Sequence, residues 1–320
     1  MTTTAIFNKT FSRLFAPVAQ RIEYQPPKLV VRVRFTPGAQ VIMKIIAILV
    51  PYHLGRQGIG SAKGPLRYRK KGMLSFATAQ ETISTKTKNL KNEIAVIAKV
   101  NIDLAKRVQQ AVKKSLLPIV VSGNCNTALG MMAGLRKKTG VIWFDSHGDF
   151  NTPETTPSGY FDGMPLAILT GHCHQNLRKK IGLSKPLSES DVLLIGLQSL
   201  DPLEKPALKK SAIQVASLAA IRKKGIQKIL LPKIRRLKKR VHTIYLHFDI
   251  DTLHPSLAPG VDYRCADGLT LKEVKKAFGL ISRHFPISAI SLTCYNPDKD
   301  IGDKTLKNGV RLLKNICHFN

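Results

Sequence analysis

Short apolar runs recur along this chain at residues 44–50, 118–122, 141–146, 192–197, 213–216, 243–249 and 287–293. Helix-length stretches separate several of them, at 91–115, 126–138 and 271–283, and another follows the last, at 304–316. Runs such as Val141-Ile142-Trp143-Phe144, and Ile244-Tyr245-Leu246 continuing through Phe248, are apolar throughout, the pattern of strands covered on both faces. Strand-length runs alternating with helical ones predict βαβ units and a parallel sheet. The pattern leaves room for one further strand before residue 91. There is no internal repeat, and no apolar run approaches the roughly 20 residues of a membrane span.

Two of these runs end in chemistry. Asp145-Ser146-His147-Gly148-Asp149-Phe150 follows the third, and His247-Phe248-Asp249-Ile250-Asp251 closes the sixth. Side chains alternate along a strand, so Asp145, His147 and Asp149 are expected on one side, as are His247, Asp249 and Asp251. Ligands bind at carboxyl strand ends in sheets of this kind. Four converging carboxylates would repel one another unless cations neutralised them, and carboxylates with imidazole suit Mn, Zn or Fe. Two metals about 3.5 to 4 Å apart form a recurrent hydrolytic site that makes hydroxide near neutral pH. The bland alternative, solvated loop acids, fits a single Asp-x-Asp better than two such motifs after two core-like runs.

With these residues in view the chain resembles the ureohydrolases of the arginase and agmatinase superfamily. Their motifs, in order, are Gly-Gly-Asp-His, Asp-Ala-His-x-Asp, Ser-Gly-Asn-x-His-Gly-x-Pro and Ser-Phe-Asp-x-Asp. Here Ser122-Gly123-Asn124-Cys125 matches the first, Asp145 to Asp149 the second, Ser158-Gly159-Tyr160-Phe161-Asp162-Gly163-Met164-Pro165 the third and His247 to Asp251 the fourth. The resemblance spans residues 44–317. It implies an α/β, three-layer α-β-α fold on a parallel sheet of about eight strands, with two divalent ions, Mn in the family, at its edge. By the same resemblance Cys125, Asp145, Asp149 and Asp249 would hold one ion and Asp145, His147, Asp249 and Asp251 the other. Cys125 departs from the family's usual imidazole; a thiol is softer than Mn prefers, which brings in Zn2+ or Fe2+. A buried packing cysteine is the plain alternative. The hydroxyarginine amidinohydrolase branch also has Cys at this position.

The resemblance further implies cleavage of a linear C–N bond in a guanidino or amidino amino acid, giving an amine plus urea or a urea derivative. Asp149 would orient the nucleophile. Asp162 stands where arginases carry a proton-shuttling His and is expected to protonate the leaving amine. Cys294 replaces the Glu that holds a guanidinium, which weakens arginine and agmatine as substrates. Positions that bind the amino-acid head match Asn151, Ser158, Asp201 and Glu204, although Asp201 before Pro202 is also a common turn start. Together these point to N-hydroxy-arginine. A metal-binding scaffold without catalysis remains the alternative, since the usual residues at 125, 162 and 294 are replaced.

Composition changes the picture in three places. A content of 43% hydrophobic residues in 320 suffices for one α/β domain. Five cysteines, at 125, 173, 265, 294 and 317, form no paired spacing and point to free thiols in a reducing compartment, the cytoplasm. His172-Cys173-His174 reads as a helix end rather than a metal site. The formal charge is +31, and setting aside the first 42 residues, with six Lys and Arg against one Glu, leaves +26. Basic runs at 67–71, 178–180, 222–224 and 233–240 admit a nucleic acid or other polyanion as partner. Aromatics, at 6%, do not interleave with them, so base stacking has no platform and a solvated lysine-rich face is the simpler reading. The expected partners are a small guanidino or amidino substrate and further copies of the chain, without a membrane. The first 42 residues lie outside the pattern: Ala16 to Ala39, with Val33-Arg34-Phe35, resembles translation through a transfer-RNA gene, and the start is expected at Met43. A basic targeting tail is the other reading.

Overall fold

A computed structural model describes residues 44–54, 56, 58–85, 92–135 and 138–319. The expectation for residues 1–42 lies outside these. Eight strands are present: β1 (Ile45–Val50), β2 (Ala79–Thr82), β3 (Leu117–Ser122), β4 (Thr139–Phe144), β5 (Val192–Ile195), β6 (Gln214–Ala216), β7 (Thr243–Asp249) and β8 (Ile287–Thr293). They form one sheet in the order β2-β1-β3-β8-β7-β4-β5-β6, and every pairing is parallel. All six residues of β1, β3 and β4 are buried, as continuous apolar runs require of strands covered on both faces. The expected fold class, a helix-covered parallel sheet of eight strands, is the observed one.

The element bounds differ from the sequence reading where local chemistry overrides hydrophobicity. β4 runs from 139 to 144, not 141 to 146, because the chain turns as soon as Asp145 meets its partners. In the stretch 126–138 the helix begins only at Ala128, after a 3-10 turn at Cys125–Thr127, and is described to Leu135. The further strand is β2, at the sheet edge and largely exposed, which is why it leaves little hydrophobic signal. His172 and His174 sit in the link between helices Pro165–Thr170 and Gln175–Ile181; the His172 Nε2 pairs with Glu189 at 2.7 Å.

The longest helix, Glu93–Lys113, starts where the Asn92 side chain accepts from the Ala95 N–H, and it buries Ile97, Val100, Leu104 and Val108 at helical spacing. It packs against Ala128–Leu135 through two glycines. A Cβ on Gly130 would come within 2.6 Å of the Asn101 carbonyl oxygen, and one on Gly134 within 2.6 Å of the Val108 Cβ. Any side chain there would push the short helix outward, and with it the loop that carries Cys125. The basic run 233–240 belongs largely to helix Ile226–Lys238, which turns Ile226, Leu230, Ile234 and Leu237 inward while Lys228, Arg235 and Arg236 face solvent. No helix among the described residues is long and apolar enough to cross a membrane.

Candidate metal centre

Four neighbouring strands, β3, β8, β7 and β4, release their chains at one sheet edge, and each release carries a chemical group. After β3, Gly123 passes so close to a neighbouring segment that a Cβ would stand 2.2 Å from the Tyr52 carbonyl oxygen. Beyond it, the Asn124 Oδ1 accepts from the Leu54 N–H at 2.9 Å. Cys125 is then presented, its thiol donating to Asp249 Oδ2 at 3.0 Å.

After β4, Asp145 is locked by two donors, the Trp143 indole N–H at 3.0 Å and the His147 N–H at 2.8 Å. Strand alternation was expected to gather Asp145, His147 and Asp149, but the strand ends at Phe144. An irregular loop brings them together instead, and Asp149 takes a left-handed backbone with φ of 51°. That conformation is uncommon outside glycine and recurs at functional sites. Glu204 braces the loop, accepting from the Phe150 N–H at 2.9 Å and the Asp201 N–H at 3.2 Å. A Cβ on Gly148 would lie 2.4 Å from that same carboxylate.

β7 ends at Asp249, whose Oδ1 accepts from the Asp251 N–H at 2.8 Å. Asp251 Oδ2 faces the His147 Nδ1 at 3.0 Å, and Asp145 Oδ1 lies 3.5 Å from that nitrogen. His247, expected beside Asp249 and Asp251, points elsewhere. It is buried beneath the floor, its ring stacked on Trp143 with centroids 3.5 Å apart, its Nδ1 bonded to the Tyr245 hydroxyl and its Nε2 3.3 Å from the Cys125 sulfur.

The electrostatics call for neutralisation, by protons or by a cation. Burial pushes Asp145, Asp149 and Asp249 above the usual carboxylate range, and their mutual repulsion, with that of Asp251, adds to it. Burial likewise pushes the Cys125 thiol up, helped by Cys294 and Asp249. For His147 burial works downward, but the facing Asp251 and Asp145 carboxylates outweigh it and raise the imidazole. Burial holds His247 well below its ordinary value, hence neutral. Two like charges 4 Å apart at an effective dielectric near 20 repel by about 4 kcal/mol, so three or four ionised carboxylates here would cost more than a fold of ordinary stability can spare. The Asp149 Oδ2 is buried without a hydrogen-bond partner in the protein. An orphaned acceptor aimed into a cluster of oxygen, nitrogen and sulfur donors fits a divalent metal. Asp145, His147 and Asp251, and separately Cys125, Asp249 and Cys294, lie with their donor atoms within 4.8 Å of one another.

All twelve residues singled out from the sequence line one cavity of about 360 Å³. They do not play the expected parts alike. Asp162 is the clearest change: its two oxygens accept from the Asn124 side chain at 2.7 Å, the Cys125 N–H at 3.1 Å, and the Asn126 N–H and side chain at 2.8 and 3.1 Å. Burial raises its pKa, whereas these donors hold the charged form. A carboxylate so occupied anchors the Cys125 turn and is poorly placed to hand over a proton. Asn151 donates to Asp201 Oδ2 at 2.8 Å, while Ser158 is exposed at the mouth. The sequence reading missed His53, Ser61, Tyr160 and Tyr263, which line the same cavity. His53 bonds Ser61 Oγ at 2.8 Å, and burial lowers its pKa. No motif marks it; only the fold brings residue 53 to the site.

The Arginase family model matches residues 43–318. The arginase of Bacillus caldovelox is 32% identical over 86% of this chain and 98% of its own length, and that of Bacillus subtilis strain 168 is 33% identical over 71% and 77%. The crystal structure of Bacillus cereus arginase is similar with a TM-score of 0.79 at 29% identity, covering 86% of this chain and 98% of that one. Sequence, sheet topology and the metal-ready cluster agree: the chain belongs to the arginase family, metal-dependent hydrolases of linear amidines.

Proposed function

We propose that this cavity hydrolyses the bond between the guanidine carbon and the side-chain nitrogen of a guanidino α-amino acid and prefers N-hydroxy-arginine, yielding ornithine and hydroxyurea, over arginine. One observation carries the preference: outside the metal cluster, no carboxylate among the described cavity residues has both oxygens left for a bidentate grip on a guanidinium. Asp145, Asp149, Asp249 and Asp251 belong to the metal cluster, Asp162 accepts four hydrogen bonds from nitrogen, Glu204 braces backbone N–H groups with both oxygens, Asp201 has one oxygen on Asn151, and Asp262 has one on Asn296 at 2.7 Å and Lys299 at 2.8 Å. A fully charged guanidinium therefore finds no bidentate charge-assisted partner, whereas N-hydroxylation lowers guanidine basicity and the need for one.

In this reading Cys125, Asp145, Asp149 and Asp249 hold one ion, and Asp145, His147, Asp249 and Asp251 the other. When bound, the ions supply hydroxide near neutral pH and polarise the substrate. Asp149, through its unpartnered Oδ2, orients the nucleophile and takes its proton. His53, held neutral and tied to Ser61, is a lining group able to carry a proton to the leaving amine. Asp201 spends one oxygen on Asn151 and presents the other to an α-ammonium, with Ser158 at the rim toward the α-carboxylate. The test is turnover of metal-reconstituted protein with arginine, N-hydroxy-arginine, agmatine, guanidinobutyrate and formiminoglutamate. Highest kcat/KM for N-hydroxy-arginine is expected. Preference for arginine would defeat the substrate assignment, and turnover of none would favour a scaffold.

A further inference from the structure

We propose that Cys125 and Cys294 together form a two-thiolate seat for one of the two ions, with Asp249 as third ligand, and that this seat selects Zn(II) over Mn(II). The inference rests on the metallohydrolase reading above and deepens it: Cys294, at the position from which a carboxylate could reach a guanidinium, becomes a metal ligand.

The geometry begins with distances. The two sulfurs are 3.5 Å apart, the Cys125 sulfur is 3.0 Å from Asp249 Oδ2, and all three donor atoms fall within 4.8 Å of one another. A tetrahedral Zn site with Zn–S bonds of about 2.3 Å has sulfur–sulfur edges of about 3.8 Å. The side chains thus already stand close to the vertices of such a polyhedron. Cys125 is fully buried, Cys294 is half-buried and both line the cavity, and an Asp145 oxygen within 4.8 Å of the Cys125 sulfur supplies the fourth vertex.

The backbone is arranged to this end. Cys294 leaves β8 with φ of 66°, in the left-handed region that a non-glycine residue enters at a cost, and its N–H donates to the Ser122 carbonyl at the end of β3. That tie brings the two strand exits side by side. Nor do the surroundings of Cys125 suit a packing cysteine. Besides Asp249 and Cys294, its sulfur has Thr293 Oγ1 at 3.2 Å and His247 Nε2 at 3.3 Å.

His247 supports the thiolate from below. The Tyr245 and Ser291 hydroxyls each lie 2.9 Å from its Nδ1, and with a hydroxyl donating there the ring hydrogen sits on Nε2, directed at the Cys125 sulfur. An N–H donor favours the charged sulfur, and fixed outer partners of this kind tune metal ligands. Cys125, Asp145 and His247 also lie within reach of one another, but His247 is sealed under the floor and does not line the cavity, which makes it a positioning residue. Two soft thiolates favour Zn(II) over the harder Mn(II).

Sulfur coordination reports directly on the proposal. X-ray absorption of the reduced, full-length protein with one equivalent of Zn(II) should show a shell of two sulfur scatterers, and one or none overturns it without any substitution. With Co(II) as probe, Cys294→Ser should lose about half of the thiolate-to-metal charge-transfer absorption, and its Zn(II) affinity should fall about 10- to 100-fold, with circular dichroism unchanged. Full absorption and unchanged affinity in Cys294→Ser would overturn the assignment of Cys294. A protein that binds metal through one sulfur defeats this inference alone, whereas one that binds no divalent metal defeats the metallohydrolase reading beneath it.

Discussion

The floor and the rim of the cavity are made of the same residue types under opposite rules. On the floor, Asp145, Asp149, Asp249 and Cys125 are buried, crowd one another and include an acceptor with nothing to accept from. Toward the rim, Asn151 satisfies one oxygen of Asp201 and the equally buried Glu204 satisfies two backbone N–H groups, while Ser158 is open to water. Crowding without satisfaction marks a place waiting for a ligand that binds tightly and always; mutual satisfaction marks one that holds its shape while substrates come and go. The contrast teaches that a carboxylate's identity says little until its hydrogen-bond ledger is known. Asp162, as deeply placed as the floor residues, obeys the rim's rule.

The sharpest way to break this contrast is to remove a floor residue shared by both ions. Asp145→Ala and Asp249→Ala should each empty both positions, taking metal content after dialysis from about two equivalents toward none and activity to background. Cys125→Ala should weaken one position only. Unchanged stoichiometry in Asp145→Ala would remove the binuclear arrangement.

Next in size is Asp162→Ala, which leaves the N–H groups of Cys125 and Asn126 and two side-chain amides without their acceptor. Buried donors left unpaired cost about 1–3 kcal/mol each, partly relieved by entering water. A loss of roughly 2–4 kcal/mol in denaturant unfolding is therefore expected. A variant as stable as the parent would show that the Asp162 network is dispensable.

Cys294→Glu tests the boundary between floor and rim. A restored charge-assisted contact is worth about 1.5–3 kcal/mol, so the ratio of kcat/KM for arginine over N-hydroxy-arginine should rise by roughly one to two orders of magnitude. No gain for arginine would detach substrate preference from this position. The smallest effect belongs to the rim proper: Ser158→Ala should raise KM by about two- to tenfold, the worth of one ordinary hydrogen bond. A collapse of kcat in that variant would place Ser158 with the machinery rather than the mouth.

How far the sequence reveals the molecule follows from the same distinction. Ligands such as Asp145, His147 and Asp251 are legible because metal chemistry restricts residue type and spacing, and the buried strands because their apolar runs are short and bounded. β2 is exposed at an edge and the helix Ile226–Lys238 carries Pro232 in its middle, so neither gives a clean signal. The reasons Asp149 reaches the site, a left-handed turn braced by Glu204, are tertiary. His53 and the inward role of His247 are tertiary too, since the latter depends on partners from β4, β7 and β8.

The strand order carries a consequence for how the protein is made. β8, the last strand of the sheet in chain order, lies in its centre between β3 and β7, with β1, β2 and β3 to one side and β4 to β7 to the other. During synthesis from the amino end, both groups emerge before the strand that joins them, each showing an unpaired edge of hydrogen-bonding groups. Such edges invite association with other chains. The nascent polypeptide is therefore most vulnerable to aggregation just before residues 287–293 leave the ribosome, and the metal centre, fed from both sides of that gap, is among the last parts to form.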